Sequence, residues 1–223
     1  MSRAMKSALL TSRAWAGAAA LLLLAACSGG SDSGSSQGAP SIEVTELPAG
    51  TYAVSMGDAA NPTAGKYYAA ADGSRLLVLN DGAQQAAAMY RRDGNAGWQS
   101  FPAATQDVKV TLLDSSATPS NAVSPASVAG RYAVRLAQGG VAAFSVTASG
   151  NIVAGDTACK VSGTLAAGTL PNALKLALAT AGCSGLPAQS DGYLVVDGDY
   201  APAGFRLLAG GNPAPVDLWA YPE

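Results

Sequence analysis

The chain contains no histidine among its 223 residues. This absence excludes Ser-His-Asp and Cys-His nucleophile systems, His-ligated zinc and iron sites, and histidine proton relays. The Ser-x-x-Lys motif of serine enzymes is missing as well, and so is the Cys-x-x-Cys motif of redox pairs. These absences favour a non-catalytic protein without a cofactor, although they leave carboxylate chemistry open.

Charge is also scarce, because charged residues make up only 13% of the chain. Three basic residues (Arg3, Lys6 and Arg13) precede a long apolar run, and the rest of the chain has 10 basic and 15 acidic side chains, a net charge of −5. Binding to nucleic acid or to anionic lipid requires clustered basic residues. The sequence therefore predicts neither nucleic-acid binding nor electrostatic docking to a membrane.

The N-terminus has the pattern of a secretory signal. A positively charged segment, residues 1–13, is followed by 13 apolar residues from Ala14 to Ala26. A transmembrane helix needs roughly 20 such residues, whereas a signal peptide needs 7–15. A buried core helix is the alternative, but the flanking positive charges and the terminal position favour a signal peptide.

The end of the apolar run, Leu24-Ala25-Ala26-Cys27, resembles the lipobox of bacterial lipoproteins. The resemblance covers about 27 residues. It implies cleavage before Cys27, a diacylglycerol thioether on Cys27 and acylation of the new amine. Palmitate would then be a suitable label for the acyl chains. Two or three acyl chains give a stable membrane anchor. Ser28 stands where an Asp would favour the inner membrane. We therefore expect a protein anchored in the bacterial cell envelope, at the outer membrane, facing the periplasm or the surface.

A polar segment follows the predicted lipid site. Residues 28–41 are mostly Ser and Gly, with few side chains that could enter a core. We interpret residues 27–44 as the lipidated cysteine and a flexible tether, with a mean reach of about 20 Å for 14 residues.

Two cysteines remain once Cys27 is set aside. Cys159 and Cys183 are separated by 23 residues, and export would place them in an oxidising compartment. We expect a structural disulfide between them, contributing on the order of 3 kcal/mol. Free thiols or a redox pair are the alternatives.

The rest of the chain reads as an all-β protein with antiparallel strands. Five Asp-Gly pairs, typical of tight turns, punctuate it at residues 72–73, 81–82, 93–94, 191–192 and 197–198. Between them lie runs of alternating polarity, which indicate strands with one wet face. The predicted strands are near residues 51–56, 66–71, 75–80, 85–91, 97–101, 107–113, 130–137, 141–148, 151–155, 158–165, 173–180, 192–196, 203–209 and 216–221.

The domain organisation remains open between two small β units and one continuous sandwich or barrel. Residues 45–113 form the first unit and 129–223 the second, joined by the Ser- and Pro-rich segment 114–128, which we interpret as a linker. A weak internal repeat supports two units, because "AGTYAV" at 49–54 returns as "AGRYAV" at 129–134 and Gly73 aligns with Gly150 after a three-residue gap.

Candidate sites are few. Tyr67, Tyr68, Trp219 and Tyr221 are candidate partner contacts, since adjacent strand residues face opposite sides and residues two apart share a face. Closing the end of a core is the alternative role for such aromatics. Asp191, Asp197 and Asp199 cluster in the sequence, but hairpin turns explain them better than calcium ligation or glycosidase chemistry, so no metal site is predicted.

These features favour a lipid-anchored envelope protein with a non-catalytic β body that binds a partner. One alternative is a small-ligand carrier built on a hollow β-barrel, and another is a His-free glycan hydrolase that uses two facing carboxylates.

Overall fold

The computed structural model describes residues 38–223, and residues 39–223 form one compact unit. The predicted signal peptide, the lipobox with Cys27 and most of the tether lie outside the described residues. No helix in residues 38–223 has the length and apolar character needed to cross a membrane.

The described part of the chain is all-β, as predicted. Two short 3-10 helices, Pro125–Val128 and Gly198–Tyr200, accompany sixteen strands within residues 38–223. The strands are β1 (Ile42–Val44), β2 (Gly50–Asp58), β3 (Asn61–Ala69), β4 (Arg75–Asn80), β5 (Ala86–Arg92), β6 (Gln99–Phe101), β7 (Val108–Val110), β8 (Leu112–Thr118), β9 (Gly130–Arg135), β10 (Val141–Val146), β11 (Asn151–Ala154), β12 (Lys160–Ala167), β13 (Ala173–Ala181), β14 (Gln189–Val195), β15 (Phe205–Ala209) and β16 (Val216–Pro222).

The last eight strands close into an antiparallel barrel in the order β9 to β16, because β16 pairs back onto β9. Alternate side chains point inward and fill the interior, as expected in an eight-stranded barrel. Leu174, Leu176 and Leu178 on β13 are examples of this alternation, and Phe205 packs 4.5 Å from the ring of Tyr132. The barrel interior is thus a packed core.

The first eight strands form an open six-stranded sheet in the order β6-β5-β4-β3-β2-β8 and a parallel pair of β1 with β7. One face of the sheet packs on the β1–β7 pair through Tyr67, Leu77 and Val110. The other face packs on the outside of the barrel through Tyr68, Leu76 and Met89. The pair, the sheet and the barrel are therefore stacked as three layers.

Strands at the centre of this stack are buried on both faces. This explains why β4 reads "RLLVLN", with a continuous apolar run, and why all five residues of β15, "FRLLA", are buried. We refer to the contact surface between the six-stranded sheet and the barrel as the lobe interface.

The internal repeat corresponds to repeated local structure. Tyr52 donates a hydrogen bond to the carbonyl of Pro48 at 3.2 Å, and Tyr132 donates one to Val128 at 3.0 Å, each four residues upstream. The turns at Gly73 and Gly150 share the same two backbone hydrogen bonds. The sheet order β6-β5-β4-β3-β2-β8 also matches β13-β12-β11-β10-β9-β16 of the barrel. These matches support, at the level of structure, the relation between the two units.

The structure departs from the predicted linker. β8 runs through residues 112–118 and pairs with β2, so the first five residues of the predicted linker belong to the sheet. Residues 113–117 lie exposed at the sheet edge, and an exposed edge strand leaves no apolar alternation in the sequence.

One predicted turn was also wrong. Asp191-Gly192 lies inside β14, whereas the other four Asp-Gly pairs lie between strands. A Cβ at position 192 would collide with the carbonyl oxygen of Leu208, so the glycine permits close approach of β15 and does not form a turn.

Candidate functional site

The predicted partner contacts occupy three different environments. Tyr67 and Tyr68 face opposite sides of β3, as expected, but both side chains are completely buried. Neither tyrosine is therefore accessible to a partner in this fold. The sheet is covered on both faces, which the sequence of β3 alone does not reveal.

Trp219 and Tyr221 both point outward from β16, because the alternate residues Leu218 and Ala220 point into the barrel core. Trp219 packs at the lobe interface, with its ring 5.1 Å from the ring of Tyr200. Tyr221 is 37% exposed. Of the four candidate contacts, Tyr221 is the one that lies on the surface.

The predicted disulfide between Cys159 and Cys183 is confirmed, with the two Cα atoms 4.5 Å apart. The cysteines lie directly before β12 and shortly after β13, so the bond closes the open end of this hairpin. Its position indicates a structural role and ties down the loop that begins at Cys183.

A buried ion pair lies at the lobe interface. Arg206 on β15 is fully buried and donates hydrogen bonds to both carboxylate oxygens of Asp217, at 3.0 and 2.6 Å. Its guanidinium also donates to Asn80 of the sheet and stacks 4.5 Å from the centre of the Trp219 ring. Burial opposes the positive charge, but the bonds to Asp217 outweigh it and raise the pKa of Arg206 above its ordinary value.

Asp217 connects the two lobes directly. Its Oδ2 also accepts a hydrogen bond from the backbone N–H of Ala86, at the start of β5 in the sheet. The carboxylate therefore has partners in both lobes, and each of its oxygens accepts at least one hydrogen bond from the protein.

A second polar contact joins the lobes at Lys66. Its ammonium donates to Asp199 at 2.5 Å and lies 3.0 Å from a carboxylate oxygen of Asp197. Burial lowers the pKa of Lys66, but the two carboxylates outweigh this effect and raise it overall. Two of the clustered aspartates thus hold the lobes together.

A cleft of about 930 Å³ lies near the lobe interface, at one end of the barrel. We call it the rim cleft. Its volume lies within the range of roughly 300–1,000 Å³ that is usual for ligand sites, which often occur at barrel mouths and between domains. Four segments line it: residues 81–87 of the sheet and residues 135–138, 184–187 and 211–218 of the barrel.

The rim cleft combines an apolar floor with a few polar groups. Leu136, Leu186 and Leu218 belong to the barrel core or pack against it, so they form a floor that is continuous with the core. The polar groups around this floor are Asp81, Gln85, Arg135, Gln138, Ser184, Asn212 and Asp217. The lining contains no aromatic side chain.

The two acidic groups of the rim cleft serve the fold. Asp81 Oδ1 accepts from the backbone N–H groups of Ala83 and Gln85, and Asp217 is held by Arg206. Within residues 38–223, no group of three or more His, Cys, Asp or Glu side chains converges as metal ligands would.

Comparison with known proteins found no matching family model, no similar curated protein and no similar solved structure.

Proposed function

We propose that this protein is a lipid-anchored lipoprotein of the bacterial cell envelope, held at the outer membrane, whose β body is a non-catalytic binding module. The observation that carries the proposal is the motif Leu24-Ala25-Ala26-Cys27, placed between an apolar segment and a Ser/Gly-rich tether. The last three residues of the predicted tether, Ile42–Val44, form β1, so the tether ends before residue 42. The lipid on Cys27 would then present the whole β body at the membrane surface.

Metabolic labelling tests the anchor. Cells that express the full chain are grown with radioactive palmitate, and the protein is followed in membrane and soluble fractions. We expect the wild type and a Ser28→Ala control to take up label and stay with the membrane, and Cys27→Ser to do neither. Label and membrane retention in Cys27→Ser would overturn the proposal.

The rim cleft supports the binding role, because it is the cavity in which apolar floor and free polar groups from both lobes converge. A photo-cross-linking residue at position 138, inside the cleft, is the probe of this role. The matched control carries the same residue at Ser149, in an exposed turn away from the cleft. We expect a discrete envelope adduct from position 138 alone; equal yields from both positions would argue against a binding cleft.

The two alternative functions lack support. A barrel carrier needs a hollow interior, whereas the inward side chains, from Val134 to Ala220, pack as one core. A carboxylate hydrolase needs two free facing acids, whereas four carboxylates at the lobe interface are each within ion-pair distance of a cation: Asp191, Asp197, Asp199 and Asp217.

A further inference from the structure

We propose that the rim cleft receives a peptide segment of a partner protein and that Arg135 binds an acidic side chain of that segment. This inference rests on the binding role proposed above and specifies the chemistry of the partner.

Arg135 differs from the other arginines of the described chain. Residues 38–223 contain six arginines, and five of them lie within 4 Å of a carboxylate: Arg75, Arg91, Arg92, Arg131 and Arg206. Arg135 has neither an ion pair nor a side-chain hydrogen bond within this part of the chain, and it is exposed at the wall of the rim cleft. Although acidic side chains outnumber basic ones after residue 26, the Arg135 guanidinium has no carboxylate partner within residues 38–223.

The charges inside the cleft leave Arg135 as the group available to a ligand. Asp217 also lines the cleft but is paired with Arg206, and Asp81 keeps its charge while its Oδ1 accepts from the backbone N–H groups of Ala83 and Gln85. A guanidinium matches a carboxylate in charge and in its paired donors. Charge complementarity therefore favours a ligand with a carboxylate.

The remaining polar groups favour a peptide. Gln85 and Asn212 each present a carboxamide, which offers a donor and an acceptor as a peptide group does, whereas the Gln138 oxygen already accepts a hydrogen bond from Ser184. Nucleic-acid bases and sugar rings are usually held by stacking on aromatic faces, and the lining has none. Pro213, Pro215 and Leu186 would contact apolar side chains of the segment.

The test uses the full lipid-anchored chain in phosphatidylcholine vesicles and two pools of acetylated, amidated heptapeptides. The pools are randomised except at the central position, which is Asp or Glu in one pool and Asn or Gln in the other. Retained peptides are counted by mass spectrometry. We expect about tenfold greater retention of the acidic pool, the size of one charge-assisted hydrogen-bonded contact.

Two variants locate the effect. Arg135→Gln should lose the preference for the acidic pool, whereas Arg131→Gln should keep it, because Arg131 lies on the same strand face but outside the cleft. Thermal melts of both variants check that they fold. Equal retention of the two pools by the wild type, or equal loss in both variants, would overturn the inference.

The cross-linking experiment separates this inference from the binding role itself. An adduct from position 138 together with equal retention of the two pools would leave the binding role standing and reject the acidic peptide. Failure of both the adduct and the pools would reject the binding role.

Discussion

At the scale of single residues, Tyr67 and Tyr68 are equally buried but differ in the hydrogen bonding of their hydroxyl groups. Both side chains are completely buried on opposite faces of β3. The Tyr68 hydroxyl is 2.9 Å from that of Tyr200 across the lobe interface, whereas the Tyr67 hydroxyl has no hydrogen-bond partner within residues 38–223. A buried polar atom without a partner costs free energy, so removing the two hydroxyls should have opposite effects.

We therefore expect Tyr68→Phe to lower the free energy of unfolding by about 1 kcal/mol, and Tyr67→Phe to leave it unchanged or raise it by a similar amount. Urea denaturation at pH 7 measures both values, and each variant serves as the matched control of the other. Equal losses in the two variants would show that the hydroxyl contacts do not decide their stability.

Tyr67 also predicts how the stability of the protein responds to alkaline pH. Burial, assisted by the charge of Glu46, raises the pKa of Tyr67 to about 12. The unfolded chain titrates near 10, so the stability that comes from keeping Tyr67 neutral is present below pH 10 and is lost as the pH rises to 12. Between pH 9 and 12, the free energy of unfolding of Tyr67→Phe should therefore fall by roughly 3 kcal/mol less than that of the wild type. Urea denaturation between pH 9 and 12 measures it, and an unchanged slope would contradict the assignment.

At the scale of elements, the disulfide acts on one hairpin. Cys159 and Cys183 close a loop that contains β12 and β13, and the same bond fixes the loop at residues 184–187 of the rim cleft. Removing a cross-link of this length increases the entropy of the unfolded chain.

The double variant Cys159→Ala/Cys183→Ala should lose about 3 kcal/mol in the free energy of unfolding. Wild-type protein treated with a thiol reductant is the control. Its free energy of unfolding should fall by the same amount, because reduction breaks the same Cys159–Cys183 bond, of which Cys27 is not a part. A double variant as stable as the oxidised wild type would show that the hairpin needs no covalent closure.

Most elements could be predicted from the sequence because turns and alternation mark a strand locally. The predicted strands at 173–180 and 75–80 coincide with β13 and β4. The exceptions have physical reasons. β1 has three residues, too few for a pattern, and β8 is an exposed edge strand without apolar residues in alternation.

The rim cleft could not be predicted in the same way. Its walls come from four loops spread between residues 81 and 218, which meet only because the sheet packs against the barrel. Arg135 was visible in the sequence as one base opposite an apolar strand face. Its lack of a carboxylate depends on the positions of all the acidic side chains, and local patterns do not encode these positions.

At the scale of the whole molecule, the buried ion pair of Arg206 and Asp217 is one of the polar contacts that hold the lobes together. Arg206 and Asp217 are almost completely enclosed and contact both the sheet and the barrel. Arg206→Met and Asp217→Asn should each lower the free energy of unfolding by about 3–5 kcal/mol, because each leaves the other charge buried without its partner. The double variant should recover part of this loss.

Denaturant titrations of the two single variants and the double variant measure these effects. Arg131→Met is the matched control: its partner Glu223 is 3.7 Å away and both side chains are exposed, so its loss should stay below about 1 kcal/mol. Additive losses in the double variant would contradict direct coupling between Arg206 and Asp217.

The exposed edge of the six-stranded sheet bears on how copies of this protein behave when crowded. An open strand edge is a template for intermolecular pairing and fibre growth. On β8 the Asp114 side chain accepts a hydrogen bond from the N–H of Ser115 at 2.8 Å, on the exposed edge strand itself. This carboxylate occupies one backbone donor of the edge strand and adds negative charge to it. Both effects oppose edge-to-edge pairing between copies of the protein that lie close together on a membrane.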